Sequence, residues 1–138
     1  MRAILVAALV AGSFSAAIAD DSPSPKQRAE KFFHALAEKG PGPAFDLLFE
    51  GSPITSQKPQ AVDAMKRQTE AALPMYGKIL DSELVEEKAV GKSVVLLVYV
   101  QRLEQHPLIW RFWFYKPHDR WYLSTVFFND QLQGVPGS

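Results

Sequence analysis

Three histidines are the side chains best suited to hold a metal or move a proton, and the sequence places them far apart. His34 falls in a predicted helix, whereas His106 and His118 fall in the two loops that flank a predicted strand. A strand of that length separates its two ends by roughly 30 Å. The chain also has no cysteine, which excludes thiol catalysis and cysteine-ligated metals. We therefore predict no metal site and no cofactor.

Acid–base chemistry has only isolated candidates. Asp46 and Glu50 lie about one turn apart on or just after a predicted helix, and His34 lies on the helix before it. An acid on an exposed helix face is usually solvated. The acidic run at residues 83–87 is typical of a charged edge strand, and no serine has the strand–turn–helix setting of a nucleophile. We expect no catalytic set; the alternative is an isomerase or lyase that uses Glu50, Asp46 or His34 as its acid or base.

Aromatic and polar side chains on the predicted strands are the best candidates for ligand binding. Aromatic rings with a few polar tips are what pockets for apolar ligands use for affinity and orientation. The same rings could instead form the core beneath the helices. The predicted binding site consists of Tyr76, Tyr99, Gln101, Trp110 and Trp121.

The first half of the chain predicts three helices. Ser24 and Gln27 show the capping-box pattern around Pro25, and apolar residues then recur at a spacing of three and four up to Gly40. Two more helices, separated by a loop, are bracketed by proline near the start and glycine near the end: Pro43 to Gly51 and Pro59 to Gly77.

The second half of the chain predicts strands. After Lys78 the apolar period changes to two, and β-branched and aromatic residues dominate. Strands are predicted over residues 79–90, 93–103, 108–115 and 120–129. Because the loops between them are short, consecutive strands should pair antiparallel as a meander.

The loop lengths also predict the pairing of residues across strands. If Glu104 and Gln105 form a two-residue turn, Tyr99 opposes Trp110 and faces inward, whereas a three-residue loop would turn Tyr99 outward. A symmetric loop after Tyr115 would place Phe114 opposite Trp121. The inner face of that last hairpin would then also hold Leu108, Trp110, Phe112, Leu123, Thr125 and Phe127.

The opposite face of the sheet is expected to be apolar as well. Even half-exposed, its side chains would form a patch on the order of 500 Å², at the upper end for a monomer. A symmetric homodimer would cover such a patch. The side chains in question are Ile109, Trp113, Tyr115, Tyr122, Val126 and Phe128.

Targeting information lies at the N-terminus of the 138-residue chain. Arg2 precedes a short apolar run, and Ala17 and Ala19 provide small residues for a signal peptidase. We predict a signal peptide over residues 1–19, a single domain over 20–133 and a loose tail over 134–138. The protein should therefore be exported to a bacterial periplasm or secreted, with no stable membrane insertion after cleavage. Fifteen basic residues balance fifteen acidic ones, so nucleic acid is not an expected partner.

Helices followed by a curved antiparallel sheet resemble the cone-shaped fold of the nuclear transport factor 2 superfamily, also called ketosteroid-isomerase-like or SnoaL-like. The resemblance covers essentially the whole mature chain. It rests on Phe32-Phe33-x-x-Leu36, on Ala44-x-x-x-Leu48-Phe49, on Tyr76-Gly77-Lys78-Ile79 and on the aromatic stretch Trp110 to Leu123. A cystatin-like fold, with one helix wrapped by a meander, is the alternative.

The resemblance implies three helices packed on a curved four-stranded antiparallel sheet, with a cavity between the two layers. Catalytic members of this superfamily place a tyrosine on the first helix and acids near the mouth of the cone. Here Phe32, Phe33 and His34 stand where that tyrosine would be needed. We therefore expect an exported, non-enzymatic module that binds a small apolar ligand or a protein partner.

Overall fold

The computed structural model describes residues 22–135. Its helical half consists of α1 (Pro25–Lys39), α2 (Pro41–Leu48), α3 (Ile54–Gln57), α4 (Pro59–Ala72) and a 3-10 turn (Leu73–Tyr76). Strands β1 (Ile79–Val90), β2 (Val94–Leu103), β3 (Leu108–Tyr115) and β4 (Tyr122–Asn129) form one antiparallel sheet in that order. The predicted α+β class and the meander are confirmed. The predicted signal peptide, residues 1–19, and the end of the predicted tail lie outside the described residues.

Helix α1 begins as its capping pattern predicts. The Ser24 hydroxyl accepts a hydrogen bond from the Gln27 N–H at 3.2 Å, and the Gln27 side-chain oxygen accepts one from the Ser24 N–H at 3.0 Å. These two bonds satisfy donors that a helix start otherwise leaves free. The helix then buries Phe32 and Phe33 against the sheet. Its position sets which strand residues the helical layer covers.

The segment between α2 and β1 differs from the prediction in detail. Residues 54–57, predicted as loop, form the single turn α3, and α4 passes into a 3-10 turn where Pro74 supplies no backbone donor. Gly77 follows with a φ of 86°. A Cβ at this position would lie 3.3 Å from the Cβ of Glu104. Glycine therefore lets the chain turn into β1 directly beside the β2–β3 connection.

The pairing of β2 with β3 follows the two-residue-turn prediction. Tyr99 lies opposite Trp110, and Gln101 lies opposite Leu108. Tyr99, Gln101 and Trp110 are each at most 2% exposed. All three side chains therefore face the helices, and the outward orientation of Tyr99 is excluded.

The predicted pairing of β3 with β4 is wrong. Phe114 lies opposite Leu123 rather than Trp121, and Trp121 lies in the loop before β4. Trp113 then pairs with Thr125, so Ser124 is an extra residue that forms a bulge. A one-residue insertion exchanges the two faces of the strand beyond it.

The bulge changes which side chains of β4 reach the core. Val126 and Phe128 pack inward, although both are predicted outside. Thr125 and Phe127 are exposed, although both are predicted inside. Ile109 on the outer face is fully buried. Of the predicted dimer patch, Trp113, Tyr115 and Tyr122 remain, and Phe127 joins them, since its ring stacks on Trp113 with centroids 5.5 Å apart.

Candidate functional site: a crevice between α1 and β1

Trp110 occupies the centre of the interior. Its ring centroid lies 5.1 Å from that of Phe32 and 4.5 Å from that of Phe128, and the residue has no exposed surface. Phe33 meets the same indole edge-on, with centroids 5.9 Å apart. These aromatic contacts fill the space beneath α1. Trp110, a predicted binding residue, lies in the core, where it bonds to a polar neighbour.

That neighbour is Gln101. The indole Nε1–H of Trp110 donates to the Gln101 side-chain oxygen at 2.8 Å, and both groups are buried. Because the amide oxygen binds the indole, the amide nitrogen Nε2 points away from Trp110. This Nε2 atom has no hydrogen-bond partner among residues 22–135, and Gln101 is 1% exposed. A buried donor without an acceptor costs about 1–3 kcal/mol.

Tyr99 supplies a second buried donor two residues away on the same face of β2. Its ring contacts Phe33 and Phe112 with centroids 5.0 and 5.8 Å apart. Its hydroxyl is buried, and no described residue bonds to it. Burial, with smaller contributions from Glu30 and Glu87, raises the pKa of Tyr99 to about 12. The hydroxyl is therefore protonated and able to donate at any physiological pH.

A crevice of about 300 Å³ lies between α1 and β1, with Gln101 in its lining. Helix α1 forms one wall and the first residues of β1 form the other. Glu30, whose charge acts on Tyr99, lies on the α1 side of this opening. The remaining lining residues are Phe33, His34, Ala37, Ile79, Leu80, Asp81 and Ser82. The crevice thus combines apolar and acidic lining residues with a buried amide nitrogen that has no acceptor within the described part of the chain.

The structure brings together three of the five predicted site residues and separates the other two. Tyr76 lies at the end of the sheet where its hydroxyl donates to Asp130 at 2.8 Å and its ring faces His106. Trp121 lies at the opposite end of β3, where the Lys116 ammonium sits 5.0 Å from its ring centroid. Neither residue borders the crevice. A single pocket lined by all five side chains does not exist in this arrangement.

The three acid–base candidates do not converge on one point. The Asp46 carboxylate is bound by Lys66 at 2.7 Å on the surface. The side chain of Glu50 lies on another surface, near Arg28. His34 borders the crevice, but its ring is largely exposed and lies 3.2 Å from the Glu38 carboxylate, one turn along α1.

Most residues that line the crevice could not be identified from the sequence. The helical pattern identified Phe33 only as a core residue, and Glu30 and Ser82 carried no signal of their own. The spacing of Glu30, His34 and Ala37 marks one side of α1. Only the placement of α1 beside the start of β1 shows that this side forms an opening.

No group of three or more histidine, aspartate or glutamate side chains within residues 22–135 is arranged to hold a metal ion. Over the same range, every helix is too short or too polar to cross a membrane.

Comparisons with protein-family models, with curated proteins and with solved structures found no match for this chain. The resemblance to the nuclear transport factor 2 superfamily therefore stays a prediction from its motifs.

Proposed function

We propose that this protein is a non-enzymatic binding module whose crevice between α1 and β1 holds a small, largely apolar molecule with an uncharged hydrogen-bond acceptor. The observation that carries the proposal is the Gln101 amide, which lines the crevice, is almost fully buried and has no acceptor for Nε2 among the described residues. The Tyr99 hydroxyl, two residues away on the same strand and behind the crevice lining, is a second buried donor without a partner among the described residues. A ligand acceptor would satisfy groups that otherwise destabilise the fold.

The charges around the crevice favour a neutral ligand over an anion. Glu30 and Asp81 line the opening, and no arginine or lysine does. Asp81 is paired with Arg102 at 3.0 Å, so Glu30 is the group that would repel a carboxylate or phosphate. A carbonyl or ether oxygen would accept a hydrogen bond without adding charge. Phe33, Ala37 and Ile79 offer apolar contact for the rest of the molecule. A volume of about 300 Å³ is at the lower end for ligand pockets, so the ligand should be small.

The binding role fits the cone-shaped fold that the sequence resemblance implies. In that architecture the opening between the helical layer and the sheet is the expected place for a ligand. The dispersal of Asp46, Glu50 and His34 supports binding over acid–base catalysis, because a reaction would need such groups around one substrate.

Export is the second part of the proposal. The signal-peptide pattern ending at Ala19 places the mature N-terminus at Asp20. Intact-mass measurement of the protein recovered from the exporting host should give a chain that begins at Asp20. A product that retains Met1 would contradict export.

Binding can be tested with a matched pair of probes that differ in the acceptor. Acetophenone carries a carbonyl oxygen, and ethylbenzene has nearly the same shape without it. We expect acetophenone to bind about tenfold more tightly, the effect of one hydrogen bond to a buried unpaired donor. Indole ¹H–¹⁵N signals give the readout, since the chain has three tryptophans and only Trp110 bonds to Gln101 among the described residues. The Trp110 signal should move and the Trp113 signal should not.

Two variants separate the crevice from other sites. Whichever of Gln101→Leu and Tyr99→Phe removes the donor bound to the carbonyl should weaken acetophenone binding about tenfold. Tyr115→Phe is the matched control, because Tyr115 lies on the outer face away from the crevice. Equal affinity for the two probes, or unchanged affinity in both variants, would contradict the proposed function.

A further inference from the structure

A second concave surface lies at the other end of the sheet from Tyr76. It is a cleft of about 490 Å³ between the start of α1, the end of α2 and the loop that leads into β4. The crevice between α1 and β1 shares no lining residue with it. The residues that define this basic cleft are Arg28, Lys31, Glu50, Arg120, Trp121 and Tyr122.

Positive charge dominates the basic cleft. Arg28, Lys31 and Arg120 face a single carboxylate, that of Glu50. None of these three cations forms an ion pair shorter than 4.0 Å with a residue in the range 22–135. Cations gathered in a concave surface raise the local concentration of anions. Within the described residues, the three cations of the cleft thus outnumber its one carboxylate.

Arg28 is held in place within the basic cleft. Its Nη1–H donates to the backbone carbonyl oxygen of Glu50 at 2.7 Å, which ties α1 to the end of α2. Its Nε–H is buried and has no acceptor among the described residues. A positioned guanidinium with a free donor is suited to a carboxylate, whose oxygens accept from its planar edge.

Trp121 gives the basic cleft an aromatic wall. The residue is half-buried, and Lys116 lies over its ring at 5.0 Å from the centroid. Tyr122 lines the cleft beside it. A flat apolar group can pack against such rings while an attached anion reaches the cations. Trp121, which the sequence predicts in one site with Tyr99 and Gln101, therefore borders a different cleft.

We propose that the basic cleft is a second binding site, independent of the crevice, that takes an aromatic carboxylate. The two sites would select by charge, with a neutral acceptor at the acidic crevice and an anion here. The proposal does not rest on the function of the crevice, and either site can fail without the other.

The test uses 1-naphthoate and its neutral counterpart, 1-naphthamide. Naphthoate should bind at least tenfold more tightly than the amide, and its affinity should fall as sodium chloride is raised from 50 to 500 mM, because salt screens the cations. The Trp121 indole signal should move, while those of Trp110 and Trp113 stay in place. Equal binding of the two probes, or movement of Trp110 or Trp113 without Trp121, would overturn the proposal.

Charge variants then locate the anion. Arg120→Gln should weaken naphthoate about fivefold, and Arg28→Gln about tenfold. Arg67→Gln is the matched control, because Arg67 is an exposed arginine on α4 outside the cleft. Arg120 is also exposed, so the melting temperature of Arg120→Gln without probe should match that of the wild type. Unchanged naphthoate affinity in Arg120→Gln and Arg28→Gln would overturn the proposal.

Discussion

At the scale of single residues, the hydroxyl of Tyr99 is the most informative atom outside the backbone. It is buried between α1 and the sheet without a partner among residues 22–135, while its ring makes good aromatic contacts. Such a group stabilises the fold through its ring and destabilises it through its oxygen. Removing the oxygen alone should therefore separate the two effects.

Tyr99→Phe is expected to leave the ligand-free protein as stable as the wild type or to stabilise it by up to about 1 kcal/mol. The ring contacts remain, and an unpaired polar atom is lost. Urea denaturation of both proteins measures the difference in the free energy of unfolding. Destabilisation by more than about 1 kcal/mol would show that the hydroxyl has a partner in the native state, against the structure.

Alkaline pH provides a second test of Tyr99. Burial raises its pKa from the ordinary value of 10 to about 12, so between these values the native state keeps a proton that the unfolded chain loses. The stability that the native state has while Tyr99 is protonated is complete below pH 10 and is lost as the pH rises through 12. The wild type should therefore lose up to about 1.4 kcal/mol per pH unit more than Tyr99→Phe across this window. Parallel pH dependence of the two proteins, followed by urea denaturation, would contradict the assigned burial.

At the scale of elements, the three longer helices and the β2–β3 hairpin could be predicted because their signals are local. The capping pattern around Pro25 sets the start of α1, and the loop between β2 and β3 determines that Tyr99 opposes Trp110. The β3–β4 hairpin could not be predicted, because its bulge at Ser124 is marked by no glycine or proline. A bulge depends on how the strand fits against its partner and the core, which spacing alone does not encode.

Two adjacent phenylalanines on β4 test the bulge directly. Phe128 packs inward with its ring centroid 4.5 Å from that of Trp110, whereas Phe127 lies on the outer face and is 38% exposed. Phe128→Ala should therefore cost about 3 kcal/mol of unfolding free energy, and Phe127→Ala about 1 kcal/mol or less. Thermal and urea denaturation of the pair give the comparison. A larger loss in Phe127→Ala than in Phe128→Ala would contradict the bulge and support the regular pairing that the loop symmetry predicts.

At the scale of the whole molecule, the helical layer covers one face of the sheet and leaves part of the other exposed. Trp113 and Phe127 stack there, next to Tyr115, around a depression of about 400 Å³. The sequence predicts an apolar outer face correctly at Trp113 and Tyr115, but it misplaces Val126 and Phe128 for the reason given above. The crevice between α1 and β1 lay beyond sequence reasoning, because it depends on the relative placement of two distant elements.

We expect the protein to dimerise through this outer face, since a second copy would remove the stacked rings from water. Light scattering over micromolar concentrations should show a dimer that Trp113→Glu converts to a monomer. Met75→Glu is the matched control, because Met75 is an exposed apolar residue, 67% accessible, in the 3-10 turn. A monomer at every concentration in the wild type would contradict this expectation.

The central claim is that the crevice between α1 and β1 binds a neutral acceptor through the buried donors of β2. The most direct measurement is a crystal structure of the protein with acetophenone. We predict the carbonyl oxygen within about 3.2 Å of Gln101 Nε2 or of the Tyr99 hydroxyl, with the ring against Phe33. A ring that lies elsewhere, or a carbonyl that points to solvent while both donors stay unpaired, would contradict the claim.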